Sequence, residues 1–307
     1  MSTAVAEPKI EVTDISSLSE KTVFLKVRTG MIGNSKKVKQ DVLTTDADKT
    51  LVKVSKTLLD SPELTAIRSG DQNIRIWLGK VCLPFDSGVL LLPINAIPNV
   101  NQKLTDYKKE RQELVDAFLD VYPALRDKAK QQLGSLFNLD DYPNPDKVKG
   151  KFAFEFNYIT FEVPEKLKEI SPELFYAESD KAAKQLKVAV DEIAVFMRQN
   201  LLKLTEHLSD RLVPGDDGKP KKLHQSAITN LKEFLETFDL RNVVNDQQLS
   251  EQVKKVSALI EGVTADKLRE SDTFRAEIQA QMEAVTKTLG TLVEEVPGRK
   301  FAVEEYE

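Results

Sequence analysis

The sequence predicts a mainly α protein with a small β-sheet, an α+β fold built on long antiparallel helices. Three observations predict it. Apolar residues recur at spacings of three and four over most of the chain. Glycine is scarce, 12 in 307 residues, which leaves little material for many short strands joined by turns. Only three segments change to period two or to a short apolar run.

Residues 1–20 are polar and are expected to form a flexible N-terminus. "TVFLKVRT" then alternates, and Thr22–Arg28 reads as a strand that ends in the glycine-bearing turn "GMIGNSKK". The stretch "LVKVSKTLLDSPELTAIRSGDQNIRIWLGKVCLP" reads as two helices. The second starts at Ser61-Pro62-Glu63, a capping hydroxyl, a proline at the first helical position and an acid in the positive first turn. Pro84 ends it. Val89–Leu92 is a second short strand. Leu104, Tyr107, Leu114, Phe118, Val121 and Leu125 then mark a long helix. Pro123 is expected to kink or restart it, because proline removes a backbone donor and crowds the preceding turn.

Pro143 and Pro145 break the helical run, and from Lys151 to Val163 the period is two. Phe152, Phe154, Phe156 and Tyr158 share one face. A lone strand leaves its backbone unpaired, so Thr22–Arg28, Val89–Leu92 and Lys151–Val163 are expected to form one sheet, its aromatic face against a helix. Ser171-Pro172 repeats the helix-start signal. Leu186, Val190, Ile193, Met197, Leu201, Leu204 and Leu208 follow in steps of three and four, close to a coiled-coil seam. Val188, Val195 and Leu202 add a second stripe at seven-residue spacing. Segments through Ile228–Phe238, Leu249–Ile260 and Phe274–Leu292 carry the same pattern, which predicts an elongated helical hairpin or bundle. The expected division is an α+β region over 21–170, a long-helix bundle over 171–296 and a flexible tail over 297–307.

Composition excludes many chemistries. The formal net charge is −5 with both signs interspersed, which opposes nucleic-acid binding. The basic clusters Lys36, Lys37, Lys39 and Lys219, Lys221, Lys222 read as solvated loops. Cys82 is the only cysteine, so there is no intramolecular disulfide and no cysteine zinc site; its apolar neighbours suggest an inert buried thiol. No secretory signal and no apolar run of bilayer length are found, so a soluble, cytoplasmic protein is expected. "RTGMIGNSKK" follows a strand but has the wrong spacing for a phosphate-binding loop. His207 beside Asp210 could hold a metal, although a charged solvent face explains the pair more simply; His224 reads as surface. The acidic turn Asp140, Asp141 and Asp146 could attract a cation, but it lacks the pattern of a calcium loop and suits an ordinary turn. No GxSxG elbow is present. Phe152, Phe154 and Phe156 are better read as core than as a base-stacking platform.

"GVLLLPINAIPNVNQKL", "ELVDAFLDVYPALRDKA" and "LGSLFNLDDYPNPDKVKGKFAFEFNYITF" together resemble an uncharacterised bacterial and phage family, a domain of unknown function. The likeness runs from about Val23 to about Leu212. Its most specific parts are the Tyr122-Pro123 break and the Asp141-Tyr142-Pro143 turn. The resemblance implies no catalytic residue. It implies a setting on phages and mobile genetic elements, near genes for MoxR-like AAA+ ATPases and von Willebrand A proteins.

The resulting expectation is a non-enzymatic helical interaction or adaptor protein without a cofactor, binding a protein partner such as an AAA+ ATPase or a second copy of itself. Val188, Val195 and Leu202 are the candidate interface, unless they only complete an intramolecular bundle. The alternatives are a metal-dependent enzyme using the Asp140–Asp146 turn and a nucleic-acid-binding module.

Overall fold

A computed structural model describes residues 18, 20–39, 46–48, 51–86, 88–160, 162–215 and 221–294. The expected flexible N-terminus, except for residues 18 and 20, and the tail 297–307 lie outside the described residues, as do Lys219 and Phe161. The fold is mainly helical with a small sheet.

In chain order the strands are β1 (Thr22–Thr29), β2 (Ser35–Lys37), β3 (Ser55–Thr57), β4 (Leu83–Asp86), β5 (Val89–Pro93) and β6 (Phe154–Ile159). The helices are α1 (Pro62–Val81), α2 (Ile97–Leu133), α3 (Pro145–Lys149), α4 (Glu165–Ile170), α5 (Pro172–Leu212), α6 (Gln225–Arg241), α7 (Gln247–Ile260), α8 (Ala265–Glu270) and α9 (Asp272–Glu294).

All three expected strands meet in one sheet, but it has four strands, in the order β4-β5-β1-β6. The extra strand, β4, stands where the helix was expected to run on to Pro84. Helix α1 stops at Val81, and Leu83 pairs with Leu91 in an antiparallel hairpin bulged between Pro84 and Asp86. An edge strand tolerates Pro84 because its missing N–H need not bond a neighbour. The aromatic strand is shorter than Lys151–Val163. The amides of Lys151 and Phe152 instead close turns onto the carbonyls of Val148 and Lys149, at 2.9 and 3.1 Å.

Only one helix, α1, forms in the region read as two. Ser55–Thr57 is a strand paired with β2, with Lys36 opposite Lys56. Asn34 fixes the chain just beyond it: its side chain accepts from the Leu59 amide at 2.8 Å and donates to the Leu59 carbonyl at 2.7 Å. The capping signals are realised. Ser61 Oγ accepts the Leu64 amide at 3.1 Å, and Ser171 caps α5 through Leu174. Of the expected kink or restart at Pro123, the restart does not occur: helix α2 continues through the proline as one element. Phe118, Tyr122 and Ala129 are buried on either side of the proline, and packing holds those turns despite the lost bond.

The described chain divides into two compact units. One takes its residues from 1–25, 79–97 and 158–307; the other spans 26–78 and 98–157. The first contains the helical bundle. Helix α5 packs on α6 and α9, and α7 packs on both of those. Of the predicted seam Leu186–Leu208, Val190 to Leu208 is buried with Leu231, Val256, Met282 and Leu289, and Leu186 is partly buried against them. Arg198 crosses this interior. Its Nε and Nη2 donate to the two Asp246 carboxylate oxygens at 2.7 and 3.1 Å, and its Nη1 donates to the Leu292 carbonyl at 2.9 Å. Asp246 also caps α7 through the Leu249 amide.

The second unit has a smaller core of Leu64, Ile67, Val115, Phe118, Tyr122 and Phe152. The aromatic face packs on a helix only in part: Phe152, just before β6, and Phe154 do so, whereas Tyr158 is exposed. Phe152 meets Phe118 at 5.5 Å and Phe154 meets Tyr107 at 5.1 Å, both edge-on to α2.

Candidate functional site

The acidic turn is the first place where chemistry was conceivable. Asn138 starts it by accepting the Asp140 amide at 2.9 Å, and Asn144 caps α3 through the Lys147 amide at 3.0 Å. These bonds turn the chain so that Asp141 reaches the β2–β3 hairpin. There it pairs with Lys36 and, at 2.6 Å, with Lys56. Hydrogen bonds from both ammonium groups, Lys36 foremost, hold its carboxyl below the usual aspartate pKa. Asp141 is thus neutralised by two lysines that face one another across the hairpin. Among the described residues, no group of three His, Cys, Asp or Glu side chains converges as a metal site would require.

Beside this ion cluster is a partly enclosed cavity of about 280 Å³. Met31, Ile32, Leu58, Leu59 and Val148 supply its apolar lining. Tyr122 and Tyr142 add their rings, and their hydroxyls are used elsewhere: Tyr122 donates to the Pro143 carbonyl and Tyr142 to the Leu58 carbonyl, each at 2.9 Å. Asp141 and Lys151 form its polar lining.

The other motifs resolve into structure. Asp210 pairs with Lys221 at 2.5 Å, and His207 is half-buried, its pKa lowered chiefly by that burial. His224 is exposed at the start of α6. In the glycine loop, Gly30 donates its amide to Ala153 at 2.6 Å and accepts Arg111 at 2.7 Å. A Cβ there would lie 2.5 Å from the Lys151 carbonyl oxygen, so the glycine serves a close backbone approach. Cys82 is 1% exposed, and burial raises its pKa to about 12.

The stripe Val188, Val195 and Leu202 does not form one surface. Val195 is 3% exposed, Leu202 is half-buried against the bundle core, and Val188 is 55% exposed. The division follows α5 itself. No described residue from 172 to 188 is buried, whereas most from 189 to 212 are buried or half-buried. The first half displays Leu174, Tyr176 and Val188, and Ile170 stands exposed just before it.

Sequence reasoning missed the buried polar node of the second unit. Arg111, 2% exposed, donates through Nε and Nη2 to Asp71 at 2.8 and 3.2 Å, and through Nη1 to the Phe152 carbonyl at 3.1 Å. Tyr107 donates to the same carboxylate at 2.6 Å, and burial drives its own pKa upward. The signal was present: Asp71 falls between Ile67 and Ile74, and Arg111 between Tyr107 and Phe118, on the apolar stripes. The donors are spent on backbone and carboxylate, so the node is a structural clasp.

No family model, curated protein or solved structure matches this chain.

Proposed function

We propose that this is a non-enzymatic helical interaction protein of a phage or mobile genetic element. The exposed first half of α5 is the observation that carries the reading. A 41-residue helix spends its second half on its own bundle and leaves Leu174, Tyr176 and Val188 exposed along residues 172–188, where Phe175 and Leu186 are only half-buried. Exposed apolar residues grouped on one element suit a partner surface better than a solvated face. Arg111 and Arg198, both buried, are engaged in clasps, which fits a structural role for each. The formal net charge of −5 favours a protein partner over nucleic acid.

The resemblance to the mobile-element family makes a MoxR-like AAA+ ATPase the first partner to test, and a second copy of the chain the next. Sedimentation of the protein alone, and mixed with such an ATPase from the same host, reads both cases. A complex that dissolves when Leu174 and Val188 are both changed to Glu supports the proposal. A monomer in both settings, or a complex indifferent to that double substitution, overturns it.

A further inference from the structure

Resting on the reading of α5 as an interaction surface, we propose that its first half pairs with the same half of a second copy of this chain, antiparallel, about a two-fold axis at Lys181. The charges of this segment are segregated. Residues 172–180 carry Glu173, Glu178 and Asp180 and no lysine or arginine, whereas residues 181–190 carry Lys181, Lys184 and Lys187 and no acid. Two copies laid parallel would set like charges together. Turned antiparallel, the acidic end of each lies along the basic end of the other, so the segment is its own complement.

The apolar side chains keep the same symmetry. Leu174 and Val188 stand seven residues before and after Lys181, two helical turns either way, so the three share one stripe. All three are exposed, and the flank that the protein covers is a different one, through Phe175, Ala182 and Leu186, each half-buried. An axis at Lys181 sets Leu174 on Val188 of the second copy, twice, and sets Glu178 across from Lys184, three residues to either side of the axis. Within one copy Lys184 pairs with Asp180 at 2.6 Å and Lys181 with Glu178 at 3.5 Å, each across one turn of the helix. These side chains are solvated, so the pairs are weakly held and can be shared with the second copy. Lys181 meets its own copy at the axis, a like-charge contact that the Glu178 carboxylates on either side offset. The paired segment is about 25 Å long. Contacts on that scale fall among transient complexes, below roughly 1,200 Å², and a dissociation constant on the order of 10–100 µM is expected.

Sedimentation equilibrium of the full chain, from about 1 to 500 µM, tests the pairing. The wild type is expected to pass from monomer to dimer, with a dissociation constant that rises with salt. Lys181→Glu/Lys184→Glu turns the segment predominantly acidic, and Glu178→Lys/Asp180→Lys turns it predominantly basic. Each variant alone is expected to self-associate about tenfold or more weakly, and an equimolar mixture of the two to restore the dimer. Circular dichroism melting checks that both variants fold; if either does not, cross-linking decides the matter. Leu174→Cys mixed with Val188→Cys is expected to give a disulfide-linked dimer under diamide, whereas each alone gives none; Cys82, 1% exposed, does not compete. A wild type that stays monomeric, charge variants that associate as the wild type does, a mixture without a dimer, or Leu174→Cys cross-linking to itself overturns the proposal. A monomeric wild type that still captures the ATPase overturns it and leaves the interaction reading standing.

Discussion

Arg111 on α2 and Asp71 on α1 face each other through two nearly parallel hydrogen bonds, at 2.8 and 3.2 Å, inside the smaller core. The same guanidinium reaches the carbonyls of Phe152 and Gly30, so one side chain ties two helices to the two segments that flank the aromatic strand and the glycine loop. Removing one partner leaves the other charge buried and unmatched. Asp71→Ala is therefore expected to cost about 3–5 kcal/mol. Urea unfolding checks it, and the double variant Asp71→Ala/Arg111→Met should recover part of the loss, because no isolated charge remains.

Asp141 makes a pH prediction of definite sign. Its lysine partners lower its folded-state pKa beneath that of an unfolded aspartate, about 3.9. The stabilisation is complete above the unfolded value and is lost as pH falls through the lower, folded value. Unfolding free energy measured from about pH 5 down to pH 2 should fall less steeply in Asp141→Asn than in the wild type. Equal slopes would show that the ion cluster does not contribute.

The stripe on α5 gives a paired prediction. Val188→Asp, at an exposed position, should change stability by no more than about 0.5 kcal/mol. Val195→Asp buries an unpaired carboxylate and should cost about 3 kcal/mol or more. The two positions are seven residues apart and look equivalent along the chain, so similar losses at both would contradict the fold described.

Cys82 supplies a probe of global unfolding. It is buried, and desolvation raises its pKa to about 12, so almost no thiolate exists near neutral pH. Labelling by iodoacetamide is expected to be slow in the native state and to accelerate across the urea transition. Rapid native labelling would place the thiol at the surface.

The sequence by itself determined the long helices, three of the six described strands and the helix starts at Ser61 and Ser171. Those depend on local chemistry: the period of apolar residues, the Ser61-Pro62 and Ser171-Pro172 caps, and the alternating phenylalanines from Phe152. Tertiary structure decided what periodicity cannot distinguish. Ser55–Thr57 and Leu83–Asp86 are too short for a pattern, and they become strands only because β2 and β5 lie alongside to take their hydrogen bonds. Val188 and Val195 occupy the same stripe, and only the packing of 189–212 decides which is covered. Asp141 read as a possible cation ligand until the hairpin brought Lys36 and Lys56 from far along the chain to its carboxylate. Charge pairing across such separations depends on where the fold returns the chain, and residue spacing alone does not encode that distance.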